Sequence, residues 1–222
     1  MTTPGSHADS SQAAARPAPI PVTASVFASP PDTLAGRIAG FLMALLNGPQ
    51  NRMTVELLEV RPEDRVLEIG FGPGTCLRLL AKRARAGFVA GVELSDAMMR
   101  AAARRNRAAI RRGQMELRRG SVSALPYEDG RFDKVCTVNT IYFWPDPERD
   151  AAEILRVLRP GGTAVVCFRG EPPPGKKPTR SLPPYPSDAA VDAMRRAGFV
   201  GLRVETRKVP LVISTCVLAR KT

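Results

Sequence analysis

Val66-Leu67-Glu68-Ile69-Gly70-Phe71-Gly72-Pro73-Gly74 decides the fold of this chain. An apolar strand ends in an acid, turns through three glycines at alternating positions, and feeds a helix that starts near Thr75. Glycine is needed where the backbone takes a positive φ or passes close to a ligand, because a Cβ would clash. A glycine turn at a helix N-terminus also offers free backbone N–H groups to a polar or anionic ligand.

Outward from this turn, strands and helices alternate. Strands are expected over 65–70, 88–93, 114–119, 132–139 and 163–168, with helices over 75–85, 96–112 and 147–158. That alternation means right-handed crossovers and a parallel sheet covered on both faces. Leu158-Arg159-Pro160-Gly161-Gly162 reads as a helix stop and tight turn. A proline-rich loop follows over 170–186, then a helix to about 197, capped by Ser187 or Asp188. Two strands over 202–208 and 211–219 flank Val209-Pro210. With no room for a helix between them, they must pair antiparallel. The expected fold is α/β: a Rossmann-like, doubly wound, seven-stranded and mostly parallel sheet with a C-terminal antiparallel hairpin strand.

Upstream, residues 1–31 are rich in Ala, Pro, Ser and Thr and read as a disordered tail. They lack the basic start and continuous apolar run of a secretory signal. A helix over about 33–47, capped by Asp32, carries a wide apolar stripe that should be buried. Gly48-Pro49 breaks it, and a second helix runs over 50–60. A single domain is expected over 32–222. No run reaches the ~18 apolar residues of a membrane span, so a cytoplasmic location is expected.

The composition, 44% apolar and 24% charged in 222 residues, is that of a soluble globular protein. The single histidine, His7, lies in the N-terminal tail. Catalytic triads, metal sites and general bases built on histidine are thereby made improbable. Cys76, Cys136, Cys167 and Cys216 are far apart in sequence and read as reduced, buried residues rather than a metal site or disulfide framework. No metal site is expected. The net charge is +12, and Arg104, Arg105, Arg107, Arg111, Arg112, Arg118 and Arg119 crowd one helix and the next strand. They read either as a surface for RNA, DNA or acidic lipid or as a solvated arginine-rich face. No aromatic residue interleaves with them, which argues against a single-strand stacking platform.

The dinucleotide fingerprint G-x-G-x-x-G does not fit the turn. Gly74 comes one position early, and Thr75 stands where that fingerprint wants glycine. Glu68 would repel a pyrophosphate; it suits a ligand with a positive group. A second acid, Glu93, closes the next strand about 20 residues on, where a carboxylate can accept from both hydroxyls of a ribose. The ligand suggested has an adenosine-like ribose, no phosphates and a cationic end. Other readings stay open. Glu68 could be a buried acid satisfied by helix N–H groups, and Tyr142, Phe143 and Trp144 could be core or pocket wall. Cys76, at a helix N-terminus, could be packed or a thiol of lowered pKa.

Glu68 to Gly74, Gly91-Val92-Glu93-Leu94-Ser95, Gly120-Ser121-Val122-Ser123-Ala124-Leu125-Pro126, Phe132-Asp133 and Leu158-Arg159-Pro160-Gly161-Gly162 occur in order. Together they resemble the class I S-adenosylmethionine-dependent methyltransferases over about residues 50–169, of the small-molecule or quinone-lipid type. The resemblance implies S-adenosylmethionine as cofactor and S-adenosylhomocysteine as product. It implies that Gly70, Phe71, Gly72 and Gly74 pass under the methionine part and that Glu68 helps hold its ammonium group through backbone or water. Glu93 would bind the ribose hydroxyls, Leu94 and Val122 would sandwich the adenine, and Asn139 would contact the methionyl end and face the substrate. Many relatives have Asp where this chain has Ser121, which brings no charge to the adenine amino group. Within the domain, 32–60 would be a helical cover, 61–169 the cofactor-binding core, and 170–222 the substrate loop, helix and hairpin.

Methyl transfer from a sulfonium is an in-line displacement, so alignment dominates and can supply roughly 7–11 kcal/mol. An alcohol acceptor would need a base within hydrogen-bond reach. Near the fourth strand only Tyr142, Asp146 or Asn139, the last as an orienter, stand as candidates. Asn139-Thr140-Ile141-Tyr142 shares its end residues with the Asn-Pro-Pro-Tyr signature of amino-directed nucleic-acid methyltransferases but lacks both prolines. The favoured acceptor is a small molecule or lipid-like metabolite. RNA or DNA bound by the arginine cluster, and a non-catalytic cofactor-binding protein, are the alternatives.

Overall fold

The computed structural model describes residues 47–171, 184–210 and 212–222. The expected tail over 1–31, most of the 33–47 helix and most of the 170–186 loop lie outside the described residues. Helix α1 spans Gly48–Leu57. Then follow β1 (Arg65–Ile69), α2 (Thr75–Arg83), β2 (Phe88–Glu93), α3 (Asp96–Arg105), α4 (Arg107–Arg111), β3 (Met115–Arg119) and β4 (Phe132–Val138). A short 3-10 turn, Ile141–Phe143, leads to α5 (Pro147–Val157), β5 (Leu158–Arg169), α6 (Ser187–Arg196), β6 (Val200–Val209) and β7 (Val212–Arg220).

The sheet has seven strands in the order β3-β2-β1-β4-β5-β7-β6. The β1, β2, β3, β4 and β5 pairings are parallel, and β7 runs antiparallel between β5 and β6. The expected α/β architecture is present, including the inserted terminal strand. Strand order reverses between β1 and β4, so the carboxyl ends of β1, β2 and β4 open into the crevice where such sheets bind ligands.

Alternation along β1 explains the two cores. Val66 packs with Met53, Leu77, Leu80 and Ala102 on the α1–α4 face. Leu67 and Ile69 pack with Ile154, Val157 and Met194 on the α5–α6 face. Glu68 has the parity of Val66, so its carboxylate enters the α1–α2 side, and it is buried.

Three boundaries differ from expectation. Helix α1 begins at Gly48 rather than Gln50, with Pro49 in its first turn, where a missing N–H costs nothing. The 96–112 helix divides at Asn106 (φ −109°, ψ 14°), whose buried side chain bonds the Gly74 and Ala102 carbonyls. Pro160-Gly161-Gly162 is absorbed into a long β5, whose pairing with β4 shifts register between Phe132 and Lys134.

Candidate active site

All three glycines of the opening turn have positive φ: Gly70 67°, Gly72 51° and Gly74 76°. They differ in what surrounds them. A Cβ on Gly74 would lie 2.7 Å from Ala102 Cβ and from Asn106 Nδ2, so that glycine lets α3 pack against the start of α2. A Cβ on Gly72 would meet nothing within 4 Å. The backbone there borders open space, as a turn that passes beneath a ligand requires. Asn106 Nδ2 donates to Gly74 O at 3.0 Å, and the Arg105 guanidinium donates to Pro73 O, so α3 braces the turn from behind.

Glu93 closes β2 and reaches across to the same turn. Gly72 N donates to its Oε2 at 2.9 Å, and Leu94 N and Ser95 N donate to its Oε1 at 2.9 and 3.0 Å. A carboxylate has about four acceptor positions, so about one is left for a hydroxyl donor. Burial raises the Glu93 carboxyl above its ordinary value, and the Ser95, Gly72 and Leu94 N–H groups oppose the rise. Next to it, Leu94 is 57% exposed, an unusual placement for leucine, while Val122 is buried. Phe71 is buried too, and its ring occupies the space a side chain at Gly91 would need.

Glu68 is 2% exposed, and its Oε2 has no hydrogen-bond partner. Burial pushes its carboxyl well above the ordinary carboxylate range; the Cys76 thiol and Leu77 N–H oppose this, and the charge of Glu93 adds to it. Unpartnered buried acids are costly and need an explanation. Cys76 is not an activated thiol: its contact with Cys136 and its burial both raise its pKa. All four cysteines are buried and unbridged.

The end of β4 is arranged differently from the sequence-based picture. Asn139 adopts a left-handed φ of 59°. It is partly exposed, and its Nδ2 donates to Gln50 Oε1 at 2.9 Å and to Asn47 Oδ1 at 3.2 Å. The Tyr142 hydroxyl accepts from Arg169 N at 2.8 Å, and burial raises its pKa. Its ring packs edge-on to Phe143 and Tyr185, which makes it core rather than pocket wall. Asp146 caps α5 by accepting from Arg149 N. Ser121 Oγ accepts from Ser123 N at 3.2 Å and retains one acceptor position.

Four of the seven clustered arginines are engaged within the chain. Arg105 binds Pro73 O, Arg112 binds Gln114, and Arg118 binds Pro126 O and Glu116, while Arg119 pairs with Asp96. Among the described residues, no group of three or more His, Cys, Asp or Glu side chains gathers as a metal site, and no helix is long and apolar enough to cross a membrane.

Sequence reasoning missed Gln50, Asn47, Asn106 and Arg105. Asn106 carried one signal, a polar residue on the apolar stripe of its helix. Gln50 carried none, since its partners are Asn139 and Ser214, far along the chain.

A β-α-β turn with a left-handed glycine series, an acid before it and an acid at the end of the neighbouring strand is an arrangement that can hold a nucleoside cofactor in a doubly wound sheet. Comparison with known proteins gives it a family. A model described as a methyltransferase domain matches residues 67–166. Uncharacterized methyltransferase YdaC of Bacillus subtilis (strain 168) is 30% identical over 185 residues, 83% of this chain and 98% of that protein. Demethylmenaquinone methyltransferase of Thermus thermophilus is 32% identical over 124 residues, 56% of each chain. Geranyl diphosphate C-methyltransferase from Streptomyces coelicolor A3(2), solved with Mg2+, geranyl diphosphate and S-adenosyl-L-homocysteine, has the same fold. It gives a TM-score of 0.65 at 16% identity over 86% of each chain. The chain belongs to the class I S-adenosylmethionine-dependent methyltransferases, and S-adenosylmethionine is its cofactor.

Proposed function

We propose that this methyltransferase acts on a small-molecule or lipid-like acceptor, with the cofactor laid across the glycine turn between Glu68 and Glu93. The observation that carries the placement is the buried, unpartnered Oε2 of Glu68 behind a turn whose Gly72 borders open space. An acid kept dry with one oxygen unpartnered fits a cofactor that brings an ammonium group and a sulfonium charge to this end of the sheet. Glu93 has an acceptor position left for a ribose hydroxyl, and exposed Leu94 with Val122 supplies apolar surface for the adenine. Ser121 offers an uncharged acceptor at the adenine edge. Gly70, Phe71 and Gly74 shape the turn rather than bond through side chains, and Asn139 acts through its backbone.

When bound, S-adenosylmethionine supplies an electrophilic methyl group on sulfur. The chain's own contribution is alignment. The Tyr142 hydroxyl is held against Arg169 N in the core and the Asn139 amide is not basic, so neither offers a general base, and Asp146 caps α5. That favours an acceptor already nucleophilic at neutral pH, such as an amine, a thiolate or an activated carbon. The internal engagement of Arg105, Arg112, Arg118 and Arg119 weighs against a nucleic-acid acceptor. The demethylmenaquinone and geranyl diphosphate enzymes, whose names carry lipid-like acceptors, weigh in the same direction.

The test is transfer of a radiolabelled methyl group into cell extract, followed by separation into organic, small aqueous and acid-insoluble fractions. Label in either of the first two is expected. Label confined to acid-insoluble nucleic acid would overturn the acceptor class.

A further inference from the structure

Gln50 is almost completely enclosed beside the carboxyl end of β4, at 2% exposed. It lies in α1, and its amide meets that of Asn139 in a reciprocal pair. Asn139 Nδ2 donates to Gln50 Oε1 at 2.9 Å, and Gln50 Nε2 faces Asn139 Oδ1 at 3.5 Å. The same Nε2 donates to Ser214 Oγ of β7 at 3.3 Å. Asn139 N donates to Cys167 O, so its backbone is tied to β5 while its side chain is tied to α1. Between those ties its φ is 59°, a conformation that asparagine tolerates better than most residues but does not prefer.

The kink has a consequence for the glycine turn. Thr140 follows it directly, and the Thr140 methyl occupies the place a Cβ on Gly70 would need. The Thr140 hydroxyl is held by Trp144 Nε1 at 3.2 Å and pairs with Thr137. The path from α1 to the turn therefore runs through Gln50, Asn139 and Thr140 to Gly70.

We infer that Gln50 is a positioning residue for the cofactor face: its amide, paired with that of Asn139, holds the end of β4 in the left-handed kink that sets Thr140 against the glycine turn. This rests on reading that turn as the S-adenosylmethionine site. The Gln50 amide is buried while Asn139 is partly exposed, so loss of the Gln50 amide removes the enclosed partner that holds the kink and frees it to relax. Docking of α1 and cofactor affinity are then linked.

The experiment is calorimetric S-adenosylhomocysteine binding by the full chain, with thermal unfolding followed in parallel. Gln50→Ala is expected to weaken binding roughly tenfold. Gln50→Met fills the same space without an amide and should behave alike, which covers the case that the alanine variant folds poorly. Ser214→Ala removes the other partner of Gln50 and leaves its pair with Asn139 in place, so it should bind within about threefold of the wild type. A residue that matters only for seating α1 against β7 would lose affinity alike in both variants. Unchanged affinity in Gln50→Met, or an equal loss in Ser214→Ala, overturns the inference while wild-type binding keeps the cofactor site intact. A wild-type chain that does not bind overturns both.

Discussion

Replacing Glu68 with glutamine should move stability and cofactor affinity in opposite directions. The wild-type carboxyl is buried, has one oxygen without a partner, and is pushed by burial well above the ordinary value of 4.5. The unfolded chain releases this proton near that ordinary value, while the folded chain keeps it to higher pH. The folded state therefore binds more protons across the interval, and wild-type stability falls as pH rises from the unfolded pKa towards the folded one. Below the interval both states are protonated and nothing is lost. The slope is about 1.4 kcal/mol per pH unit. For a chain of this size, 1 kcal/mol corresponds to roughly 2–4 °C in Tm. Glutamine does not titrate, so Tm of Glu68→Gln minus Tm of wild type should widen by about 3–6 °C per pH unit once pH exceeds the unfolded value. Scanning calorimetry between pH 5 and 7, as a working range of about two units, reads this directly. Saturating S-adenosylhomocysteine should flatten the wild-type dependence, because an ammonium group beside the carboxylate favours its charged form. The same substitution should weaken S-adenosylhomocysteine binding at least tenfold, ~1.4 kcal/mol. A Tm difference independent of pH would refute the reasoning, since it would mean that Glu68 gains no pKa shift on folding.

Glu93→Ala removes the acceptor of three backbone N–H groups and the proposed ribose contact; calorimetry should show at least a tenfold loss in S-adenosylhomocysteine affinity, ~1.4 kcal/mol, and undiminished binding would dismiss the assignment. Gly74→Ala and Gly72→Ala should separate packing from ligand contact. The first drives a methyl into Ala102 and Asn106 and should lower Tm by several degrees, on the order of 2–3 kcal/mol. The second meets open space, should cost only the ~1–2 kcal/mol of left-handed strain, and should lose proportionally more cofactor affinity. Equal stability loss in both with equal binding would contradict this division. The four buried, unbridged cysteines should resist a thiol reagent in the folded chain and all react in denaturant; rapid labelling of the folded form would show that the seam beneath α1 is open.

Much of the fold was legible because its rules are local. Apolar runs of strand length, separated by helical periods and glycine punctuation, allow few arrangements once right-handed crossovers are required. The antiparallel β7 followed from chain length alone: Leu202 to Ala219 leaves no room for a crossover helix. What was misread was also local, where two signals compete. Gly48-Pro49 can end one helix or begin the next, because proline is excluded from helix interiors yet favoured in a first turn. The break at Asn106 was hidden because the residues around it keep a helical period; the break exists because its amide is needed by the Gly74 carbonyl of another element.

The candidate site divides along the same line. Glu68, the three glycines and Glu93 could be read because each sits at a strand end whose position the chain announces. Asn139 could be read as a place but not as a role, since its amide is spent on Gln50 and Asn47, 89 and 92 residues away. Tyr142 shows the same limit: a tyrosine near a reacting centre suggests a base until its hydroxyl is found accepting the Arg169 N–H in a buried aromatic cluster. With the Asn139 amide and the Tyr142 hydroxyl bonded within the chain, the chemistry proposed there is alignment rather than proton transfer. A methyl donor that carries its own activated leaving group needs nothing more from the chain than a rigid floor. The floor consists of a glycine turn braced from behind by Asn106 and from β4 by Thr140, and the amide of Gln50 ties that second brace to α1.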